Sequence, residues 1–424
     1  MVLTMTFLFS TIAIVIVYAI LFTLVNNFLF SFSMRIVFVL ITALIIGNTT
    51  FAQLDSLKVG AEQTDLYIPL IAHKKIAVVA NHSSTIEKVH LVDSLLNLKI
   101  KLRKIFCPEH GFRGEADAGE IIKNQIDKKT GLELVSLYGS HKKPTKKDLK
   151  GIDIVLFDMQ DVGVRFYTYI STMHYVMEAC AEQGVSVIIL DRPNPNGFYV
   201  DGPILDTTYR SFVGMHPVPL VHGMTIGEYA QMVNGEKWLK HGIQCNLKVI
   251  PCKNYDHKLI YQLPIRPSPN LPNQTAVLLY PSLGFFEGTC ISVGRGTDYP
   301  FQIFGHPALP KTGYSYIPVE KIGASKNPPY KDEVCNGFDL REYSQKYFHD
   351  NPNINLEWMI FAYKMFPDKQ SFFNRYFVNL SGTPELKRQI EQGLDAETIS
   401  KSWSKPLMEF KKIRKKYLLY PDFE

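Results

Sequence analysis

A chain of 424 residues with 46% hydrophobic and 20% charged side chains is a folded protein, too long for one small core, and its length predicts two domains or three. The formal net charge of +6 is mild for this size and leans on Lys411, Lys412, Arg414, Lys415 and Lys416. No nucleic-acid motif accompanies that cluster, so it reads as a solvated helix face and no nucleic-acid partner is expected. None of the six cysteines lies in a C-x-x-C pair, which argues against a redox motif or a zinc site. Cys245 and Cys252 could pair in an oxidising compartment, whereas Cys107 and Cys180 sit among apolar residues as buried thiols.

The first 52 residues are a different material. Met34-Arg35 leads into the apolar run Ile36–Ile46 and then Gly47-Asn48-Thr49-Thr50-Phe51-Ala52, the order of a secretory signal peptide. No cysteine follows, so a lipoprotein anchor is not expected. Upstream, Thr6–Val25 is uncharged and long enough to span a bilayer. Either Met34 is the true start or the upstream run is a membrane helix; we favour Met34, which opens a complete signal peptide by itself. Both readings export the remainder, to the periplasm or outside the cell, and confine membrane contact to the amino-terminal segment.

From Ile71 onward strands and helices alternate. Ile76–Ala80 is short and apolar and runs into Asn81-His82-Ser83-Ser84, which predicts a buried strand. Ser84 or Thr85 is placed to cap a helix carried by Ile86, Val89, Leu91, Leu95 and Leu96. Ile100–Phe106 predicts a second strand, interrupted by Lys101, Arg103 and Lys104. Ile152–Phe157 and Val185–Leu190 predict a third and a fourth, with a long helix at Thr168–Gln183 between them. This alternation implies right-handed crossovers and a parallel sheet covered on both faces. An α/β, Rossmann-like doubly wound domain is therefore expected over residues 53–250. Beyond Pro251, prolines punctuate short apolar pieces such as Ala276–Tyr280, which predicts a smaller α+β domain with long loops over 251–424. Helical patterning returns at Pro384–Gly393 and from Pro406, as first helical residue, to Tyr420.

Each predicted strand ends in polar residues. The first meets Asn81-His82-Ser83, and the second meets Cys107-Pro108-Glu109-His110-Gly111-Phe112-Arg113-Gly114. The third runs into Asp158, Gln160 and Asp161 with Arg165 and Tyr167, and the fourth into Asp191 and Arg192 with Asn194. Carboxyl ends of parallel strands share one edge, where ligands bind, so all four clusters are expected to line one cleft. Turn chemistry accounts for one such cluster, but four in succession point to a site. Later loops add Asn270, Glu287 between Phe286 and Gly288, and Arg295 between Gly294 and Gly296. No G-x-G-x-x-G follows the first strand, and no P-loop, G-x-S-x-G or H-E-x-x-H motif occurs, so neither a nucleotide nor a metal cofactor is expected. What remains is carboxylates with arginines and aromatics. That set suits glycoside hydrolysis, in which one carboxyl protonates the leaving oxygen and the other attacks or activates water.

The stretches Pro108-Glu109-His110-Gly111-Phe112-Arg113-Gly114, Phe157-Asp158-Met159-Gln160-Asp161-Val162-Gly163, Arg165-Phe166-Tyr167-Thr168-Tyr169, Asp191-Arg192-Pro193-Asn194-Pro195, Phe286-Glu287-Gly288-Thr289 and Gly294-Arg295-Gly296-Thr297 resemble the exo-β-N-acetylmuramidases of the NamZ type. The resemblance runs from about Ile71 to the carboxyl terminus in the family's order. It implies a Rossmann-like domain joined to a smaller one with the active site between them. It also implies release of N-acetylmuramic acid from the non-reducing ends of peptidoglycan fragments, in cell-wall turnover. The glutamate of Pro-Glu-His-Gly, the family's best catalytic candidate, falls on Glu109 as general acid/base. His110, Asp161 and Glu287 are the further catalytic candidates. Asn81, His82, Asp158, Gln160, Arg165, Tyr167, Asp191, Arg192, Asn270, Arg295 and Tyr299 are expected to bind substrate. Asp298-Tyr299 departs from what many relatives carry. N-acetylmuramic acid bears a lactyl carboxylate, for which Arg165, Arg192 and Arg295 are the available forks, unless they form structural ion pairs. Two rivals stand beside this reading: an amide or ester hydrolase using Ser83 with His82, and a non-catalytic muropeptide-binding protein.

Overall fold

A five-residue apolar run is best accommodated in the middle of a sheet, where both faces are covered. Ile76–Ala80 (β1) is such a run, and all five residues are buried. In the computed structural model, which describes residues 56–108, 111–112, 125–343 and 352–424, β1 is the central strand of seven. The others are Leu102–Cys107 (β2), Gln125–Ile126 (β3), Glu133–Ser136 (β4), Ile154–Asp158 (β5), Ser186–Leu190 (β6) and Leu247–Ile250 (β7). Their order is β3-β4-β2-β1-β5-β6-β7, parallel throughout except for β3. Strand order reverses at β1, with β2 on one side and β5 on the other, which opens a crevice at the carboxyl ends.

The strand pleat sends alternate residues to opposite faces. Ile76, Val78, Ala80, Leu156 and Leu190 pack with Tyr67 and Ile71 of α1 (Thr64–Ile71) and with Leu91, Val92 and Leu95 of α2 (Leu91–Asn97). Ala77, Val79, Val155, Phe157 and Ile189 pack instead with α3 (Tyr169–Gln183) and α4 (Ile226–Gly235). That second core runs on without a break into α5 (Gln274–Leu283), α6 (Glu357–Met365) and α7 (Glu385–Glu391), and reaches Phe410 of α8 (Ser404–Arg414). A small antiparallel sheet of Ile303–His306 (β8), Tyr314–Tyr316 (β9) and Cys335–Asp339 (β10), in the order β8-β10-β9, completes the α+β part. Among the described residues no helix is long and apolar enough to cross a membrane.

The expected α/β sheet is present, with local differences. Ile100 N–H still bonds the helical carbonyl of Leu95, so β2 begins at Leu102 rather than Ile100. No helix starts at Ser84 or Thr85, because Thr85–Ile86 and Val89–His90 pair as a two-residue hairpin across Glu87 at φ +52°. The His90 ring caps α2 instead, accepting from Val92 N–H. Ala276–Tyr280 lies inside α5, and Pro406 is the third residue of α8 rather than the first. The basic tail is not wholly a solvated face. Arg414 is fully buried, donating to Gly223 O and to both carboxylate oxygens of Asp422. Cys245 and Cys252 are both thiols, one before and one after β7. The signal-peptide and membrane-helix readings of residues 1–52, and Glu109, His110 and Arg113, lie outside the described residues.

Candidate active site

The polar clusters at the strand ends do converge, but the described ones mostly engage each other. Asp158 ends β5 with no exposure, and Arg192, two residues past β6, meets it through two bonds at 2.5 and 2.9 Å. A bidentate pair this buried locks two strand ends together, and it leaves neither partner for a ligand. Ser84 Oγ donates to Asp158 O, and Gln160 joins Ser83 Oγ, Asp161 O and Pro193 O. Ser83 also donates to Asn81 Oδ1 at 2.6 Å, while His82 Nε2 sits 2.8 Å from Arg266 O. Ser83 and His82 therefore face different partners and do not form a nucleophile pair.

Three other predicted residues are likewise structural anchors. Arg165 is wholly buried, and its two Nη atoms donate to the carbonyls of Pro203, Val218, Leu380 and Ser381, tying the loops after β6 to the carboxyl-terminal half. Asp191 accepts from Gly227 N–H at the start of α4, from Thr225 Oγ1 and from Tyr420 OH, and burial pushes its carboxyl up to about 6. Asp161 accepts from Gly163 N–H at 2.7 Å, while Oδ1 has no partner among the described residues. Burial drives this carboxyl up to about 7 against those backbone bonds.

The open space lies alongside these anchors. A cleft of about 720 Å³ is bordered by the loop after β4, the amino-terminal turn of α3, the 268–271 loop, the end of α5 and the 287–301 segment. Four of the predicted residues line it: Tyr167, Asn270, Glu287 and Arg295. Tyr167 and Tyr169 pack edge to face at 4.7 Å, and Tyr280 meets Phe166 and Phe301 the same way, giving an apolar wall of aromatic rings. Asn81 stands behind this wall, donating to Tyr169 OH at 2.7 Å. Tyr167 OH donates to Pro267 O, and burial holds its hydroxyl well above the ordinary tyrosine range. Asn270 is fixed by Ala324 O at 2.9 Å. Tyr299 is outside the cleft, with the Arg341 guanidinium 3.9 Å over its ring.

Glu287 and Arg295 are the charged pair in this space. Arg295 Nε and Nη2 both meet Glu287 Oε1, at 2.8 and 2.7 Å. Local sequence sets the pair. Glu287 is the penultimate residue of the 3-10 turn Gly284–Gly288, and a Cβ on Gly288 would stand 2.4 Å from Phe377 Cα, so only glycine permits that close approach. Arg295 sits between Gly294 at φ +76° and Gly296 at φ +82°, backbone that glycine adopts without strain. Among the described residues no three His, Cys, Asp or Glu side chains gather as a metal site requires. Sequence reading missed Lys142, Phe212, Tyr376 and Asn379 of the lining; none sits in a motif or at a strand end that would have marked it.

A carboxylate held in a cleft walled by aromatic rings is equipment for binding and cleaving a sugar. The family described as "Exo-beta-N-acetylmuramidase NamZ, N-terminal" matches residues 76–275, and its "C-terminal" counterpart matches 278–420. The chain is 39% identical over 365 residues to the Peptidoglycan beta-N-acetylmuramidase NamZ of Bacillus subtilis (strain 168), covering 82% of this chain and 87% of that one. Two crystal structures of DUF1343 family proteins from Bacteroides fragilis NCTC 9343 are also similar. One is 46% identical with a TM-score of 0.81, covering 87% of this chain and 100% of its own. The other is 28% identical with a TM-score of 0.74, covering 86% and 99%. On the matched stretches and on identity of 39% across four-fifths of its length, the chain belongs to the exo-β-N-acetylmuramidase NamZ family.

Proposed function

We propose that this protein is an exo-acting peptidoglycan β-N-acetylmuramidase that releases N-acetylmuramic acid from non-reducing ends. The observation that carries the reading is 39% identity, across 82% of the chain, to a peptidoglycan β-N-acetylmuramidase. The cleft supports it: about 720 Å³ lies within the range of small-molecule sites and has room for a sugar against the Tyr167–Tyr169 wall. Its place is cell-wall turnover in an exported protein, with membrane contact confined to residues 1–52.

In the mechanism we propose, Glu109 is the general acid that protonates the leaving oxygen, and His110 beside it in sequence orients it. Glu109 directly follows Pro108, the described residue at the end of β2. Glu287, which Arg295 holds through Oε1, is the second carboxylate, attacking the anomeric carbon or activating a water. The test is hydrolysis of a chromogenic muramic-acid glycoside by the purified full chain, with the released anomer followed by NMR. Glu109→Gln is expected to lower kcat by about 100- to 10,000-fold while substrate still binds. Unchanged turnover in Glu109→Gln would remove Glu109 from the mechanism, and absence of hydrolysis by the wild type would remove the activity.

A further inference from the structure

A sugar carboxylate is best met by a cation that no protein carboxylate already holds. Of the three arginines suited to that task, Arg165 is bonded to four carbonyls, Arg192 to Asp158, and Arg295 twice to Glu287 Oε1. Lys142 is the other cation on the described lining of the cleft. Its ammonium stands 4.6 Å from the centroid of the Phe212 ring, which lines the same cleft, and no described carboxylate pairs with it.

The neighbouring residue explains how this lysine is presented. Lys143 Nζ bonds Glu178 and Glu182 of α3, each at 2.7 Å, and so pins the loop after β4 against that helix. Lys142 is left on the cleft side, resting on an aromatic face that attracts a cation without neutralising it. Since Glu287 and Arg295 cancel one another, the described lining carries one net positive charge. An anionic ligand is favoured over a neutral one of the same shape.

We propose that Lys142 is the specificity-determining residue that pairs with the lactyl carboxylate of N-acetylmuramic acid, and thereby distinguishes this sugar from uncharged N-acetylhexosamines. The assignment rests on the activity proposed above. A charge-assisted bond formed by one ligand and denied to its neutral analogue is a strong discriminator, on the order of 10- to 100-fold.

The experiment compares the full-length wild type with Lys142→Gln and Lys142→Arg. Calorimetry measures binding of N-acetylmuramic acid against its neutral lactyl methyl ester, and kinetics compare the chromogenic glycosides of N-acetylmuramic acid and N-acetylglucosamine. The wild type is expected to prefer the acid in both. Lys142→Gln is expected to lose about 10- to 100-fold of each preference, with the loss appearing in KM rather than kcat, and Lys142→Arg to restore most of it. Equal weakening of acid and ester, or a preference that survives Lys142→Gln, would overturn the assignment. A wild type that binds the acid over the ester in a Lys142-dependent way yet cleaves neither glycoside would overturn the activity and leave this subsite standing.

Discussion

Asp161 shows how burial alone can change what a side chain is for. Its Oδ1 has no partner among the described residues, and His222 Nε2, equally unpartnered, lies 4.0 Å from Oδ2. Burial pushes the carboxyl up to about 7 and, with Arg414 and Arg165 nearby, the imidazole down to about 3. An acid whose folded-state value is raised is most stabilising while protonated in both states, below about pH 4, and that contribution is lost as pH rises through 7. Asp161→Asn removes this titration and keeps an acceptor for Gly163 N–H. Relative to the wild type, the variant should therefore gain on the order of a few kcal/mol between pH 4 and pH 8. Urea unfolding of both proteins at pH 4, 6 and 8 checks this; a difference that stays flat across the range would contradict it.

At the scale of elements, α4 shows why Asp191 looked like a site residue from sequence. Thr225 Oγ1 accepts from Glu228 N–H at 3.2 Å, and Glu228 Oε2 accepts from Thr225 N–H at 2.9 Å, a reciprocal cap on the first turn. Asp191 adds its negative charge at the same helix end, accepting from Gly227 N–H and Thr225 Oγ1. The acid after β6 thus serves a helix start rather than a ligand. Thr225→Ala should lower stability by about 1–2 kcal/mol, seen as a lower urea midpoint with an unchanged slope. An unmoved midpoint would mean that Asp191 alone holds the turn. The same scale explains the misplaced helix after Ser84. Its apolar residues have helical spacing, but Ile86 and Val89 pair across a two-residue turn, and only Leu91 onward is free of that pairing.

At the scale of the molecule, the larger of the two main cores runs from β1 to α8, and among the described residues no disulfide crosses it. All six cysteines are thiols, five of them buried and Cys290 half-buried. Thermal unfolding should accordingly give the same Tm, within about 1 °C, with and without dithiothreitol, since no loop-closing bond exists to reduce. A Tm that fell under reductant would reveal a disulfide this fold does not contain. The carboxyl terminus is held instead by side chains: Tyr420 OH reaches Asp191 and Cys252 N–H, and Arg414 reaches Gly223 O. That network closes the far end of the chain onto the edge of the sheet that also carries the strand-end clusters.

Periodicity sufficed for elements whose two faces are both buried. β1 and α3 lie within one residue of their expected bounds, because an apolar run or an unbroken helical pattern leaves few alternatives. The polar strand ends were equally legible as residue types, and Tyr167, Asn270, Glu287 and Arg295 do reach the cleft. Which other polar residues face a ligand and which face each other was decided by tertiary structure. Asp158 and Arg192 are 34 positions apart and meet only because β5 and β6 are neighbours in register. Lys142 and Lys143 are adjacent and alike in sequence, yet two glutamates one turn apart on α3 hold the second, and the first is left to the cleft. Local pattern names the chemistry a side chain can do; its partners across the fold determine whether it is available to do it.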